Sequence, residues 1–154
     1  MEMKLAEALL ERKDLLKRLG VLKERLVADA KVQEGDRPAQ DPEELLSEAE
    51  GLCRRLKDLV VAINRANSRA CLSDGRTLTE AIAERDVLRL WHGFLTAVAE
   101  AAVPSRDRFG LGRQEIKYVP TVDVAALRKR ADEVAKACRE LDAEIQAVNW
   151  QAEL

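Results

Sequence analysis

The sequence contains few of the residues that cross-link, bend or interrupt a chain. It has three cysteines, four prolines and seven glycines, and aromatic residues make up only 3% of it. So little glycine and proline excludes a Gly- and Pro-rich all-β fold and a disordered chain. Because Cys53, Cys71 and Cys138 are odd in number, widely spaced and without a C-x-x-C pair, we expect small core residues of a protein from a reducing compartment.

The sequence also lacks the motif of any enzyme class. It has no H-E-x-x-H, G-x-S-x-G, Walker or dinucleotide-binding pattern and no Glu-x-x-His pairs of carboxylate-bridged metal bundles. Its single histidine, His92, follows Leu88 by four residues, which predicts a half-buried core or interface residue. A nucleophile that joins a cysteine to His92 stays open, although inert thiols are the commoner case. We therefore expect no metal and no cofactor, and the sequence favours a protein that is not an enzyme.

Charge is plentiful but balanced, and no long apolar run is present. The chain has 26 basic and 28 acidic residues, so no polyelectrolyte partner is required. The first residues, Met1-Glu2-Met3-Lys4, lack the apolar region of a secretory leader, which predicts a cytoplasmic protein. The longest weakly charged run, 90–103, contains Glu100 and is shorter than the ~20 residues that span a bilayer. A transmembrane helix is therefore not expected.

Apolar residues recur at three- and four-residue steps in four long segments, which predicts four helices. The first runs from about Leu5 to Ala30. The second begins at Asp41-Pro42-Glu43-Glu44, an N-cap followed by proline at the first helical position, and ends near Ala70.

The other two helices have equally clear limits. The third opens at Thr77-Leu78-Thr79-Glu80 and ends before Pro104, and the fourth is capped by Thr121 and carries an unbroken seam from Val124 to Val148. An irregular loop at about 105–120 between them has room for one short strand. We therefore expect a single all-α domain of four long antiparallel helices, arranged as an up-and-down bundle or as paired coiled-coil hairpins.

The apolar stripes of the first two helices are broader than one seam requires. Leu15 is followed by Leu16, and Val60 by Val61. Because such adjacent residues point to different sides of a helix, we expect part of this surface to contact another subunit. The sequence therefore predicts a homo-oligomer.

Register arithmetic places polar residues of all four helices at one level. If the first two helices pair about a connection near residues 36–37, Arg12 lies near 61–64, and the later turns bring Arg85 beside 139–140. This candidate polar layer consists of Arg12, Asn64, Asn67, Arg85, Asp86 and Glu140. Two interpretations stay open: a satisfied layer that sets helix register, or a site where the arginines bind a small anionic ligand and the asparagines bind its hydroxyls.

A basic stretch gives a minor alternative. Residues 51–76 sum to a charge of plus four and residues 35–50 to minus five. With the loop at 106–117, the basic stretch is a candidate phosphate-tracking surface for nucleic acid. Such charges more often pair along helix faces, so a nucleic-acid partner is not favoured.

Most of the chain resembles the septicolysin-like family of small bacterial helical proteins. The resemblance rests on the segments LAEALLERKDL, VQEGDRPAQDPEELL, INRAN, DGRTLTEAIAERDVLRL and the last forty residues from EIKYVPTVDV onward. It implies an all-helical, self-associating cytoplasmic protein and carries over no functional residue. The family name implies a pore-forming toxin, for which the run 90–103 with Trp91 and Phe94 is a candidate insertion segment. The dense charge of the other helices favours a buried helix half instead.

The sequence as a whole thus indicates an oligomeric helical interaction or binding protein, with the polar layer as its candidate site. A small-molecule enzyme that uses this layer, a pore-forming protein and a nucleic-acid-binding protein are the alternatives, and a membrane partner is not favoured.

Overall fold

The computed structural model describes residues 2–104 and 116–154, and it confirms the all-α fold. Its helices are α1 (Leu5–Ala28), α2 (Pro42–Arg69), α3 (Leu78–Ala102) and α4 (Val124–Gln151). The strand expected near 115–119 is absent from residues 116–120, and the rest of the irregular loop, 105–115, lies outside the described residues.

The chain forms two compact units. Unit 1 contains the residues up to Leu78 together with Gln146–Leu154, and unit 2 contains Thr79–Ile145. Unit 1 therefore holds α1, α2 and the end of α4, whereas unit 2 holds nearly all of α3 and most of α4.

Aspartate side chains cap two of the helices. At α2, Asp41 accepts a hydrogen bond from the backbone N–H of Glu43 at 3.0 Å, and Pro42 occupies the first helical position as predicted. At α4 the cap is Asp123, whose carboxylate accepts the N–H of Ala126 at 3.0 Å. The prediction of Thr121 as this cap was wrong, since an aspartate nearer the helix offers a stronger acceptor than threonine.

A tight turn joins α2 to α3. The backbone N–H of Leu72 donates to the carbonyl of Arg76 at 2.8 Å, and Gly75 lies between them with φ of 91°, where glycine is the favoured residue. The Asp74 carboxylate accepts hydrogen bonds from the side chain and the backbone N–H of Arg76. These bonds hold the pKa of Asp74 below its usual range.

In unit 1, α1 packs against α2 through their apolar stripes. The buried members include Leu15 and Leu22 of α1 and Leu59 and Ile63 of α2. The chain ends pair beside this core: the N–H of Leu5 donates to the carbonyl of Ala152 at 2.9 Å. An exposed ion pair between Lys4 and Glu153 reinforces this pairing.

In unit 2, α3 contacts α4. The seam predicted on α4 is confirmed, because every one of its members from Val124 to Ile145 is buried or half-buried. The thiol of Cys138, one of these members, lies 3.9 Å from the carbonyl oxygen of Arg85 on α3.

The cysteines differ from the expectation of small core residues. All three are free, but Cys53 and Cys71 are exposed and only Cys138 is half-buried. Cys53 directly follows the half-buried Leu52, and a single helical step turns its side chain about 100° away from the stripe. Cys71 lies in the turn after α2 ends.

Candidate functional site

The helix α3 carries apolar residues on two opposite sides. Its inner side has a three-four seam of buried and half-buried residues: Leu78, Ala81, Arg85, Leu88, His92, Leu95 and Ala99. Its other side has a four-three seam in which every residue is exposed: Ala83, Val87, Leu90, Phe94, Ala97 and Ala101. We call this second set the outer seam. At 100° per residue the two sets lie about half a turn apart.

The centre of the outer seam is large and strongly exposed. Leu90 keeps 74% of its surface accessible and Phe94 keeps 59%. Trp91 adjoins them, with its ring stacked on that of Phe94 at a centroid distance of 5.2 Å. An apolar patch of this kind on a regular helix marks an interaction surface more often than an ordinary solvated face.

Arg130 of α4 lies close to the aromatic pair. Its guanidinium carbon lies 5.9 Å from the centre of the Trp91 ring, within the range of a cation–π contact. The Trp91 ring therefore contacts both Phe94 and the Arg130 guanidinium.

The expectation that the run 90–103 forms a buried helix half was only half right. Leu95 and Ala99 are buried, but Leu90 and Phe94 are exposed, and Trp91 keeps 39% of its surface accessible. The nearly uncharged run 90–103 contains parts of two seams, and each seam consists of different residues of the same helical turns. Among the helices of the described residues, none is long and apolar enough to cross a membrane. His92 is half-buried, as predicted.

The predicted polar layer is distributed over both units. Unit 1 contains the half-buried Arg12 of α1, and the exposed Asn64 and half-buried Asn67 of α2. Unit 2 contains Arg85, Asp86 and Glu140. Whether these six residues bind a ligand stays a prediction.

The register expected between α1 and α2 differs from the structure. Glu11 binds Arg55 through two hydrogen bonds of 2.8 and 3.0 Å, so Arg12 lies level with the middle of α2, about two helical turns from the predicted residues 61–64. No hydrogen bond within the described ranges joins Arg12 to Asn64 or Asn67. The arithmetic assumed a symmetrical turn, which a connection as long as residues 29–41 does not require.

Arg85 is the part of the predicted layer that forms a cluster. Its side chain is 17% exposed, and it binds Asp142 at 2.8 Å and Asp86 at 3.3 Å. Arg89 approaches the same Asp142 oxygen at 3.6 Å. Two carboxylates of the chain therefore already bind the Arg85 guanidinium. This arrangement favours an ion pair that fixes the register of α3 against α4 over a site for an anionic ligand.

Sequence reasoning chose Glu140 and missed Asp142. Glu140 is exposed and lies 4.0 Å from Lys136 on its own helix. Asp142 follows the seam residue Cys138 by four positions, which places it on the side of α4 that contacts α3. That spacing was the available signal.

The basic stretch 51–76 is largely paired. Arg54 binds Glu50 at 3.2 Å, Arg55 binds Glu11 and Lys57 lies 3.4 Å from Asp58. The hydrogen bond that the Arg55 guanidinium donates to the Glu11 carboxylate raises the pKa of Arg55. This pairing favours charges that solvate helix faces over a phosphate-tracking surface. Within residues 2–104 and 116–154, no group of three or more His, Cys, Asp or Glu residues is placed to hold a metal ion.

Comparison with known proteins gives a relative but no activity. A search among curated proteins found no match. A solved crystal structure, that of a functionally unknown conserved protein from Corynebacterium diphtheriae, is 45% identical, covers 100% of this chain and 99% of its own, and superposes with a TM-score of 0.93.

The resemblance to septicolysin-like proteins stays a prediction beside these findings. Residues 12–154 match DUF6847, a family of unknown function. This match covers far more than half of the sequence, and the chain belongs to that family.

Proposed function

We propose that this protein acts as a helical interaction protein that forms a homodimer, in which the outer seam of α3 packs against the same seam of a second copy. The observation that supports this proposal is the outer seam itself. Six successive positions from Ala83 to Ala101 follow the four-three spacing of a coiled coil, all are apolar, and all are exposed.

The order of side chains along the seam favours an antiparallel pair. The two largest residues, Leu90 and Phe94, lie near the middle, and alanines occupy both ends. When two copies run in opposite directions about a two-fold axis, Leu90 of one faces Phe94 of the other, and Ala83 faces Ala101. Such an interface is self-complementary, as a two-fold dimer requires.

The energy available sets the strength of this dimer. Burying a large apolar side chain contributes about 1.5–3 kcal/mol, and the two copies together supply Val87, Leu90 and Phe94 twice. The gross gain is on the order of 10 kcal/mol, which is comparable with the ~4–15 kcal/mol lost in association. A reversible dimer whose population depends on protein concentration is therefore expected.

Sedimentation equilibrium over a range of protein concentrations tests the proposal. The wild-type mass should rise from 17.2 kDa towards twice that value. The variant Leu90→Glu should stay monomeric, because a carboxylate in the seam would be buried without a partner. The matched control Leu10→Glu changes an exposed leucine of α1 and should dimerise like the wild type.

Two outcomes would refute the proposal. One is a wild-type mass of 17.2 kDa at every concentration. The other is a dimer that Leu90→Glu leaves intact while circular dichroism shows unchanged helix content. A membrane role for the same patch is distinguished by vesicles of anionic lipid: binding of monomeric wild-type protein that Leu90→Glu abolishes, without a dimer in solution, would replace the dimer by a lipid surface.

A further inference from the structure

An apolar cavity opens in unit 1, beside the contact of α1 with α2. Its volume is about 440 Å³, and it is broadly open to solvent. Leu19, Leu26 and Val27 contribute to it from α1, and Ala49 and Cys53 contribute from α2. The cavity belongs to other helices than the outer seam and is independent of the proposed dimer.

The cavity exists because α2 presents small side chains where α1 presents large ones. Ala49 and Cys53 lie one helical turn apart on α2 and leave space that a pair of leucines would fill. The wall supplied by Leu19, Leu26 and Val27 is entirely hydrocarbon, so the space favours an apolar chain.

One cation lies in this otherwise apolar lining. Lys23 is exposed and lines the cavity, and among the described residues it forms no ion pair, which is also true of exposed lysines elsewhere such as Lys13, Lys17 and Lys129. An unpaired ammonium group at an apolar cavity complements a ligand that has a hydrocarbon chain and one negative end. A carboxylate at that end accepts hydrogen bonds from the ammonium group.

We infer that this cavity binds a free single-chain carboxylate of the fatty-acid type. The hydrocarbon chain lies along Leu19, Leu26 and Val27, and the carboxylate pairs with Lys23. The thiol of Cys53 lines the same space and reports whether it is occupied.

Titration calorimetry with dodecanoate, kept below its micelle concentration, tests the inference. The wild type should bind dodecanoate saturably and dodecanol more weakly. The variant Lys23→Met keeps an apolar stem and removes the charge, so it should weaken dodecanoate binding about two- to fivefold, the range for an exposed ion pair. The control Lys17→Met removes an exposed lysine of α1 that does not line the cavity and should bind like the wild type.

Filling the cavity gives a second, sharper test. Ala49→Trp should weaken dodecanoate binding more than tenfold, with unchanged helix content. If that variant fails to fold, Val27→Glu serves instead, because Val27 is exposed and a carboxylate there repels the ligand from the lining.

Thiol chemistry locates the bound chain. Dodecanoate should slow the reaction of Cys53 with a soluble disulfide reagent and leave that of Cys71 unchanged, since both thiols are exposed but only Cys53 lines the cavity. Variants Cys53→Ser and Cys71→Ser assign the two rates.

Four results would overturn the inference. The first is that dodecanoate does not bind saturably, and the second is that dodecanol binds with equal affinity. The third is that anionic vesicles protect Cys53 whereas monomeric dodecanoate does not. The fourth is that Ala49→Trp changes the number of subunits while dodecanoate has no effect. The last result would assign this face to a second copy of the chain.

Discussion

Two helices of unit 2, α3 and α4, show how apolar patterning relates to partners. Each has an unbroken three-four seam that lies inside the structure. The positions of α4 that correspond to the outer seam carry mostly charges, among them Lys129, Glu133, Lys136 and Glu140. The corresponding side of α3 carries the outer seam, which contains no charged residue. A helix with one seam can complete its packing inside the chain, whereas a second seam on the opposite side remains for a partner outside it.

The largest effect expected from this comparison concerns the two leucines of α3. Leu95 lies in the inner seam and is 2% exposed, whereas Leu90 lies in the outer seam. Leu95→Ala should lower the free energy of unfolding by about 2–5 kcal/mol, because it leaves a cavity in packed surroundings. Leu90→Ala should lower it by less than about 0.5 kcal/mol in the monomer. Urea unfolding at a protein concentration that keeps the chain monomeric measures both.

The same pair of variants separates packing from association. When the protein concentration is raised, the loss of stability caused by Leu90→Ala should grow, because only folded chains form the dimer. The loss of stability caused by Leu95→Ala should stay the same. Equal losses for the two variants at low concentration would show that α3 has no distinct outer side.

A smaller effect is expected where α3 and α4 are joined by charge. Arg85→Met should lower the free energy of unfolding by about 1–3 kcal/mol, because it leaves the partly buried Asp142 with the more distant Arg89 alone. The double variant Arg85→Met, Asp142→Leu should recover part of this loss. Urea unfolding of the wild type, the two single variants and the double variant gives the coupling energy between Arg85 and Asp142. Phosphate that stabilises the wild type but not Arg85→Met would instead favour the anion site.

The helices were predictable from the sequence because their signals are local. The cap at Asp41 and the seam of α4 require only residues within one or two turns of one another, and both are confirmed. Which residues of α2 lie beside Arg12 was not predictable. The register between the two helices depends on the conformation of the long connection between them, and no local sequence pattern encodes that conformation. The prediction of the α4 cap failed for a simpler reason, because both Thr121 and Asp123 are residue types that can cap a helix N-terminus.

The candidate surface was partly visible in the sequence. The low charge of residues 90–103 indicated Trp91 and Phe94, but a single apolar run was interpreted as a single buried side. Sorting the same residues by seam separates Leu95 from Leu90 on their spacing alone. The exposure of Cys53 had a similar signal, because Cys53 directly follows the stripe residue Leu52, and one helical step turns its side chain about 100° away from the stripe.

A spectroscopic difference between α3 and α4 should accompany dimerisation. Trp91 adjoins the outer seam, whereas Trp150 lies on the last turn of α4. In the variant Trp150→Phe, the emission of Trp91 should shift to shorter wavelength as protein concentration rises, because its ring loses contact with water. In Trp91→Phe, the emission of Trp150 should not change. A shift in the second variant alone would place the interface at the end of α4.

The smallest effect concerns the end of α4, where the chain relies on exposed polar contacts instead of a seam. The hydrogen bond from Lys4 lowers the pKa of Glu153, so the folded protein binds the Glu153 proton less readily than the unfolded chain does. The resulting stabilisation is complete above the ordinary glutamate pKa and is lost as the pH falls through the lowered value. Glu153→Gln should therefore melt slightly below the wild type at neutral pH, and the difference should shrink as the pH falls below the ordinary glutamate pKa and vanish once the pH is below the lowered value. Glu144→Gln, an exposed change within α4, should show no such loss. A difference for Glu153→Gln that persists in acid would mean that the carboxylate charge does not hold the two chain ends together.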